Sequence, residues 1–247
     1  MHFKAYNELA WVDEILAAPE SYKEEADHYI RQVKNHVAGS SLMMLHLGCG
    51  AGGHDFHFKK HFSVTGVDIS KGMLDIARKV NPENRYINAD MRHCMLDEAF
   101  DVVIIPDSIM YMNNFNDLQA TIKNAKQHLK SSGVLLVVAQ IKEEYQDNNF
   151  VYVGEKGPLQ VTLFENNTKV NDSTYEATMI YLIRDKGKQS IHHEVHTLGL
   201  FSHDQWMTIF DRCQLKVEER NLDHLYDQFV LDEGEYKLKV FIANHSI

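Results

Sequence analysis

Cysteine is scarce in this chain: Cys49, Cys94 and Cys213 are its three thiols among 247 residues. An odd, dispersed set without a C-x-x-C pair excludes a disulfide framework and a zinc knuckle, and it suits a reducing compartment. Basic residues are also in deficit, with 25 Lys and Arg against 35 Asp and Glu and a formal charge of -10 at pH 7. A phosphate-backbone partner needs a basic footprint, so nucleic acid is disfavoured and a small metabolite is favoured. No apolar run approaches the ~20 residues that cross a bilayer, which argues against a membrane role. The opening "MHFKAYNELAWVDEILAAPE" carries acids within its apolar pattern and lacks a basic start, so it does not read as a signal peptide. With four prolines there is no Pro/Gly/Ser-rich linker, and no internal repeat divides the chain. These absences leave a cytoplasmic globular protein, either one large domain or one domain with a sizeable insertion.

What is present alternates between strand and helix. In "SYKEEADHYIRQVKNHV", Ser21 and Glu24 have capping-box spacing, and Ala26, Tyr29, Ile30, Val33 and Val37 follow helical periodicity. Strands are expected at 42–47, at 64–68, in "RYINAD", in "FDVVIIPD" and in "VLLVVA". Helices lie between them: Met73, Ile76, Ala77 and Val80 follow Ser70 as N-cap, and Leu118, Ile122, Ala125 and Leu129 run toward Gly133. Continuous apolar strands separated by helices predict an α/β, doubly wound, mostly parallel sheet. After Ala139 the rhythm changes to "FVYVG", "LQVTLFE", "TYEATMIYLIR" and "QSIHHEVHTLGLF", with turns expected at Asn166-Asn167 and Asp185-Lys186-Gly187. These four strands predict an inserted antiparallel sheet. A capped helix at Ser202 to Gln205 and the strands "LKVEER" and "EYKLKVFIAN" follow, the last two as an antiparallel edge pair.

The chemistry concentrates in "LMMLHLGCGAGGHDFHF". Gly48, Gly50 and Gly53 fit the dinucleotide pattern G-x-G-x-x-G, while Gly48, Gly50 and Gly52 fit the G-x-G-x-G loop associated with S-adenosylmethionine. Either loop turns tightly, admits a ligand to the backbone and directs N–H groups of the next helix at negative charge. Asp68, at the end of the second strand, is placed to accept hydrogen bonds from ribose hydroxyls. His46 stands ahead of the loop and either holds it by bonding a backbone carbonyl or touches the ligand directly.

Taken in order, "LHLGCGAGG", "VTGVDIS", "INADM", "FDVVIIPDSIMYM" and "LKSSGVLLVVA" resemble the successive motifs of class I S-adenosylmethionine-dependent methyltransferases over residues 42 to 139. That resemblance implies a Rossmann-like, seven-stranded sheet, with S-adenosylmethionine as cofactor and S-adenosylhomocysteine as product. It puts Leu47, Gly48, Cys49, Gly50 and Gly52 against the methionine part, Asp68 on the ribose, and Asp90 with Met91 around the adenine. Ile69, Met73 and Pro106 are expected on the same surface, together with His46, which stands where the family usually has an acid. The resemblance divides the chain into an N-terminal helical lid (1–40), a cofactor-binding core (41–140), inserted strands serving as substrate cap or dimer interface (141–200), and a helix with a strand pair completing the core (201–247).

"PDSIMYMN" lacks the D/N-P-P-Y/F pattern of nucleobase and glutamine N-methyltransferases, there is no Pro-Cys pair, and "AQIKEE" lacks the Asp-Asn pair of catechol-type, metal-dependent enzymes. The N-terminal layout, "DSIMYM" and the four-strand insertion are similar to the amino-sugar N,N-dimethyltransferases and related small-molecule enzymes. An amine acceptor and no metal are therefore expected. Tyr111 stands where those enzymes can carry a histidine near the transferred methyl, and it is expected to orient the acceptor. Tyr6, Trp11 and Tyr22 either cover the cofactor or fill the core. His192, Glu194 and His196 share one strand face, either solvated or lining the substrate cavity, with His196 the candidate catalytic member. His54 and His57 flank the glycine loop. The alternatives are a catalytically silent S-adenosylmethionine-binding protein and an NAD-dependent oxidoreductase.

Overall fold

A computed structural model describes residues 3–231 and 235–246. The chain opens with a 3-10 turn, Ala10–Val12, and a short helix α1 (Asp13–Leu16), then a second 3-10 turn, Pro19–Tyr22, that runs into α2 (Lys23–Lys34). That continuity removes the capping box expected at Ser21. The Lys23 N–H is already taken by the Glu20 carbonyl, and the Ser21 hydroxyl turns back to donate to Ala18 O at 2.7 Å. Ala26, Tyr29, Ile30 and Val33 form the buried face of α2, as their spacing predicts.

Next come β1 (Met43–Leu47), α3 (Asp55–Phe58), β2 (Ser63–Asp68), α4 (Lys71–Val80), β3 (Arg85–Asn88), β4 (Phe100–Ile105), α5 (Phe115–Gln127) and β5 (Leu129–Ala139). After the insertion, α6 (His203–Arg212) leads to a closing strand pair at Leu215–Leu222 and Leu238–His245. Ser202 caps α6 with both hydrogen bonds of a capping box, and the Ser70 hydroxyl accepts from Met73 N at the start of α4. The helix expected to run past Leu129 ends at Gln127 instead. His128 stops it: Nδ1–H donates to Asn124 O at 2.9 Å and Nε2 accepts from Leu96 N at 3.1 Å, which turns Leu129 and Gly133 into the start of β5.

The insertion is β6 (Asn148–Lys156), β7 (Leu159–Lys169), β8 (Thr174–Asp185) and β9 (Lys188–Gly199), so the closing pair is β10 and β11. The seven strands of the main sheet lie in the order β10-β11-β5-β4-β1-β2-β3, with β11 antiparallel to both neighbours and the rest of the core parallel. Side chains alternate across it: Leu45, Val103, Leu135 and Phe241 bury toward α5 and α6, while Met44, Val102, Leu136 and Val240 bury toward α2. Both faces are covered, which is why these strands read as continuous apolar runs. The order reverses between β1 and β4, and the crevice beyond their carboxyl ends is the natural ligand site of such a sheet.

The inserted sheet is wholly antiparallel in the order β6-β7-β8-β9. Lys186 and Gly187 turn the last hairpin at φ 49° and 82°, as expected of that pair. Asn166-Asn167 makes no turn. Asn166 Nδ2 donates across the sheet to Asn149 Oδ1 at 2.9 Å and Asn167 is buried, so β7 continues and the reversal falls at 170–173. The N-terminal segment packs on this sheet through Ala5, Leu9 and Val12 against Val161, Tyr181 and Ile183. No helix among the described residues is long and apolar enough to cross a membrane.

Candidate active site

A cavity of about 470 Å³ occupies the crevice, walled by the glycine loop, the ends of β2, β3 and β4, the N-terminal segment and the inserted sheet. This is within the usual range for a small-molecule site. Gly48 and Gly50 form its floor at φ 74° and 52°. A β-carbon on Gly48 would stand 2.1 Å from Ser108 Oγ, and one on Gly50 would project into open space. Gly50 thus leaves a cradle in which a ligand can meet bare backbone. The helix after the loop is shorter than the sequence suggests: α3 has four residues, so its N-terminus supplies no substantial dipole.

His46 does not bond a backbone carbonyl. Its Nδ1 lies 2.7 Å from Asp55 Oδ1, while Asp55 Oδ2 accepts the Tyr86 hydroxyl at 2.9 Å. With Nδ1–H donating to the carboxylate, Nε2 is left as an acceptor on a ring that lines the cavity.

At the ribose end, Asp68 Oδ2 accepts Gly50 N at 2.9 Å and Oδ1 accepts Ser70 N at 2.8 Å, so the carboxylate ties the loop to the start of α4. Each oxygen keeps a lone pair for a further donor. Ile69, Met91 and Ala89 give the neighbouring wall apolar surface for a flat ring. Asp90 is on that wall but already clamped by Arg92, whose Nη2 lies 2.6 Å from Oδ2 and whose Nη1 reaches Asp117 at 2.7 Å. Burial raises the Asp68 carboxyl, whereas the hydrogen bonds of Arg92 hold Asp90 below the ordinary range.

Deeper in, four side chains form a relay. The Tyr6 and Tyr111 hydroxyls are hydrogen-bonded, Tyr111 Oη lies 2.7 Å from His196 Nδ1, and His196 Nε2 lies 3.1 Å from Glu194 Oε2. Glu194 also accepts Lys4 N at 2.8 Å and Ala5 N at 2.9 Å, which fixes the N-terminal segment over β9. Phe3 stacks on His196 with ring centroids 3.8 Å apart. Burial lowers the His196 imidazole, with Glu194 opposing, and burial raises Tyr111. Tyr6 and Tyr111 line the cavity, whereas His196 is fully enclosed behind them and hydrogen-bonded to Tyr111.

A second group of acids was not visible in sequence. Asp107 follows Pro106 at the end of β4 with φ 51° and lines the cavity, its Oδ2 3.3 Å from the Tyr226 hydroxyl. That hydroxyl also lies 2.9 Å from Glu25 Oε1, and Glu25 Oε2 lies 3.0 Å from His54 Nε2. Burial, then the Glu25 charge, lift the Asp107 carboxyl from 3.8 to about 7. Between those values the folded state holds a proton that the unfolded chain has released. Its contribution to stability is complete below pH 3.8 and lost as pH rises through 7. Asp107→Asn, which Asn tolerates at positive φ, should therefore raise the melting temperature of the ligand-free protein at pH 8 and change it little at pH 4. An equal shift at both pH values in thermal scans would contradict this.

The expected residues fall into three groups. His46, Gly48, Cys49, Gly50, Asp68, Ile69, Met73, Asp90, Met91, Pro106, Tyr6, Tyr22 and Tyr111 line the cavity. Leu47, Gly52 and Trp11 do not: Leu47 is buried in the core, Gly52 faces Asn81 and Tyr86 while Gly53 takes its place on the wall, and Trp11 packs against the N-terminal apolar cluster. His196 reaches the site only through its hydrogen bond. His192 is half-buried beside Ser190 Oγ at 3.3 Å, His193 is exposed, neither lines the cavity, and His57 holds Pro19 O at 2.8 Å.

Residues 45–137 match the family model described as a methyltransferase domain. Over 202 residues the chain is 28% identical to a dTDP-3-amino-3,6-dideoxy-alpha-D-glucopyranose N,N-dimethyltransferase of Streptomyces fradiae, covering 80% of this chain and 78% of that one. It is 27% identical to a dTDP-3-amino-3,4,6-trideoxy-alpha-D-glucopyranose N,N-dimethyltransferase of Streptomyces venezuelae, covering 82% and 87%. Among solved structures, an S-adenosylmethionine-dependent methyltransferase from Clostridium acetobutylicum superposes with a TM-score of 0.76 at 20% identity, covering 97% of this chain and 98% of that one. These matches leave the dinucleotide alternative without support. A glycine loop on β1, an acid ending β2, and β11 inserted antiparallel beside β5 complete the pattern: the fold is that of the class I S-adenosylmethionine-dependent methyltransferases, and residues 45–137 carry the methyltransferase domain.

Proposed function

We propose that this protein methylates the nitrogen of a small amine, with S-adenosylmethionine as donor. When bound, the cofactor supplies an electrophilic methyl group on a sulfonium. The glycine loop and Asp68 would hold its methionine and ribose parts, and Ile69 with Met91 would flank its adenine. The observation that carries the amine reading is the Tyr6–Tyr111–His196–Glu194 relay, which opens into the cavity between the loop and the inserted sheet.

The residues' roles follow from their partners. With Nε2–H facing the Glu194 carboxylate, His196 Nδ1 accepts from Tyr111, and Tyr111 can accept in turn from Tyr6 or from a substrate N–H. Both tyrosines are raised by burial, so near neutrality they orient the amine as neutral hydroxyls and do not serve as bases. A methylated acceptor nitrogen would be positively charged, and its proton would leave through the Tyr111 hydroxyl to Nδ1 of His196, an imidazole that burial biases toward the neutral form and that Glu194 stabilises once charged. The N-terminal segment and inserted sheet exclude water, and alignment of this kind supplies ~7 to 11 kcal/mol of a displacement barrier.

Tyr111→Phe should leave S-adenosylhomocysteine affinity within about twofold and lower kcat/KM for a methylated amine by about 10- to 100-fold, the scale of a lost orienting and proton-relay contact. His196→Gln should move the acid limb of the kcat/KM profile, which a purely structural role would not do. Tight S-adenosylhomocysteine binding with no methyl transfer across a broad amine panel would instead favour a catalytically silent cofactor-binding protein.

A further inference from the structure

A second cavity of about 520 Å³ adjoins the first and shares Tyr6, Asp13, Tyr22, Asp107, Glu165 and Met179 with it. Its own walls add Tyr152, Tyr181, Tyr226 and Phe229 from the inserted sheet and the segment after β10. Three carboxyl groups from separate parts of the fold converge on this junction: Asp13 from α1, Asp107 from the end of β4 and Glu165 from β7.

Their hydrogen bonding is incomplete. Asp107 Oδ1 is buried with no partner among the described residues, and the Asp13 carboxylate takes part in no hydrogen bond or ion pair found among them. Glu165 accepts one bond, from Asn167 Nδ2 at 2.9 Å. Burial raises all three carboxyls, Asp13 to about 6. Groups left in that condition gain most from a cationic partner.

Compensating cations are few on the walls: His54 lines both cavities and offsets part of the Asp107 charge, but its Nε2 is turned to Glu25 Oε2 at 3.0 Å. Arg92 is the single Lys or Arg on either cavity among the described residues, and it is bound to Asp90 and Asp117 at the adenine end. The remaining positions, Met1, His2, Asp232, Glu233, Gly234 and Ile247, add no Lys or Arg. A nucleoside diphosphate would bring two or more negative charges into an acidic chamber, and such like-charge juxtaposition is strongly unfavourable. An organic ammonium meets both carboxylates and tyrosine faces, the two features that recognise it.

We propose that the acceptor is a phosphate-free organic amine that enters as a cation, is held at the junction of the two cavities by Asp13, Asp107 and Glu165 among the tyrosines, and gives one N–H proton to one of these carboxylates before its nitrogen is methylated. This rests on the amine-methylation reading above and separates this chain's acceptor from the dTDP-amino sugars named for its relatives. The probes are 1,5-diaminopentane, tetramethylammonium and dTDP, titrated calorimetrically into the S-adenosylhomocysteine-saturated protein. Binding of at least one organic cation is expected, weakened about tenfold or more in Asp13→Asn/Glu165→Gln, with dTDP binding more weakly than the cation that binds best. Should the double variant fail to fold, Glu165→Gln alone is expected to weaken cation binding about threefold.

Tighter binding of dTDP, no heat from either cation at about tenfold above the usual millimolar range of a weak ligand, or unchanged affinity in the folded variant would overturn the proposal. Methyl transfer to a dTDP-linked amino sugar in preference to the free amine would also overturn it while leaving the amine reading intact. Cation binding without transfer to any amine would do the reverse.

Discussion

Asp68→Ala should weaken S-adenosylhomocysteine binding by about 100- to 1,000-fold while the protein stays folded. Two charge-assisted hydrogen bonds to ribose hydroxyls would contribute about 1.5 to 2 kcal/mol each, so their loss would amount to about 3 to 4 kcal/mol, and 1.4 kcal/mol is a factor of ten. The same substitution frees the Gly50 and Ser70 N–H groups, which now end on this carboxylate at 2.9 and 2.8 Å, and the cradle at Gly50 loses its anchor. Asp68→Asn should do little better, because its amide presents donors to a ring of donors. Calorimetric titration of S-adenosylhomocysteine, with circular dichroism as the control for folding, measures the effect. Affinity within threefold of the parent protein would make Asp68 a strand-end turn residue and nothing more.

The parts legible in the sequence are those governed by local periodicity. Continuous apolar strands, the Ser70 and Ser202 caps, the Lys186-Gly187 turn and the glycine loop each follow from side-chain spacing or backbone freedom within a few residues. The misreadings occur where a partner distant in sequence decides the outcome. Asn166 and Asn167 have turn chemistry, yet Asn149 and Asn148 across the sheet accept from their amide nitrogens and keep β7 extended. Leu129 continues a helical period, but the Leu96 N–H on His128 ends the helix first.

The candidate site divides in the same way. Its cofactor side is written in one run of motifs from Gly48 to Pro106, because the crevice lies at consecutive strand ends. The proposed acceptor side draws Asp13, Asp107, Glu165 and Tyr226 from four separate segments, and no spacing rule joins them. Asp107 carried one signal: an acid directly after the proline that ends β4, at a strand exit. The relay through His196 was half visible, since Glu194 and His196 alternate onto one strand face, but their contact with Lys4, Ala5 and Tyr111 depends on how the N-terminal segment folds back.

His46→Ala should be the most destabilising single change near the loop. His46 and Asp55 are 2% and 0% exposed, so removing the imidazole leaves a carboxylate in the interior with the Tyr86 hydroxyl as its remaining side-chain donor. Breaking a buried pair costs about 3 to 5 kcal/mol, and the surviving Tyr86 bond puts this case near the lower figure. For a chain of this size that corresponds to a fall of about 6 to 12 °C in Tm. The effect should spread beyond β1, because Tyr86 also accepts from Asn81 Nδ2 at 3.0 Å and Asn81 Nδ2 donates to Gly52 O at 2.9 Å, tying β3, α4 and the loop into one network. Urea denaturation of His46→Ala, Asp55→Asn and the double variant gives the coupling energy, expected above 1 kcal/mol; a value near zero would mean the two side chains are neighbours and not a pair. The His46→Asn variant separates two roles of this residue. An asparagine amide can still donate toward Asp55, so stability should largely return. If S-adenosylhomocysteine affinity returns with it, His46 acts by holding the loop; if affinity stays low, the imidazole Nε2 on the cavity wall itself accepts a hydrogen bond from the cofactor, taking over the task of the acid that usually stands there.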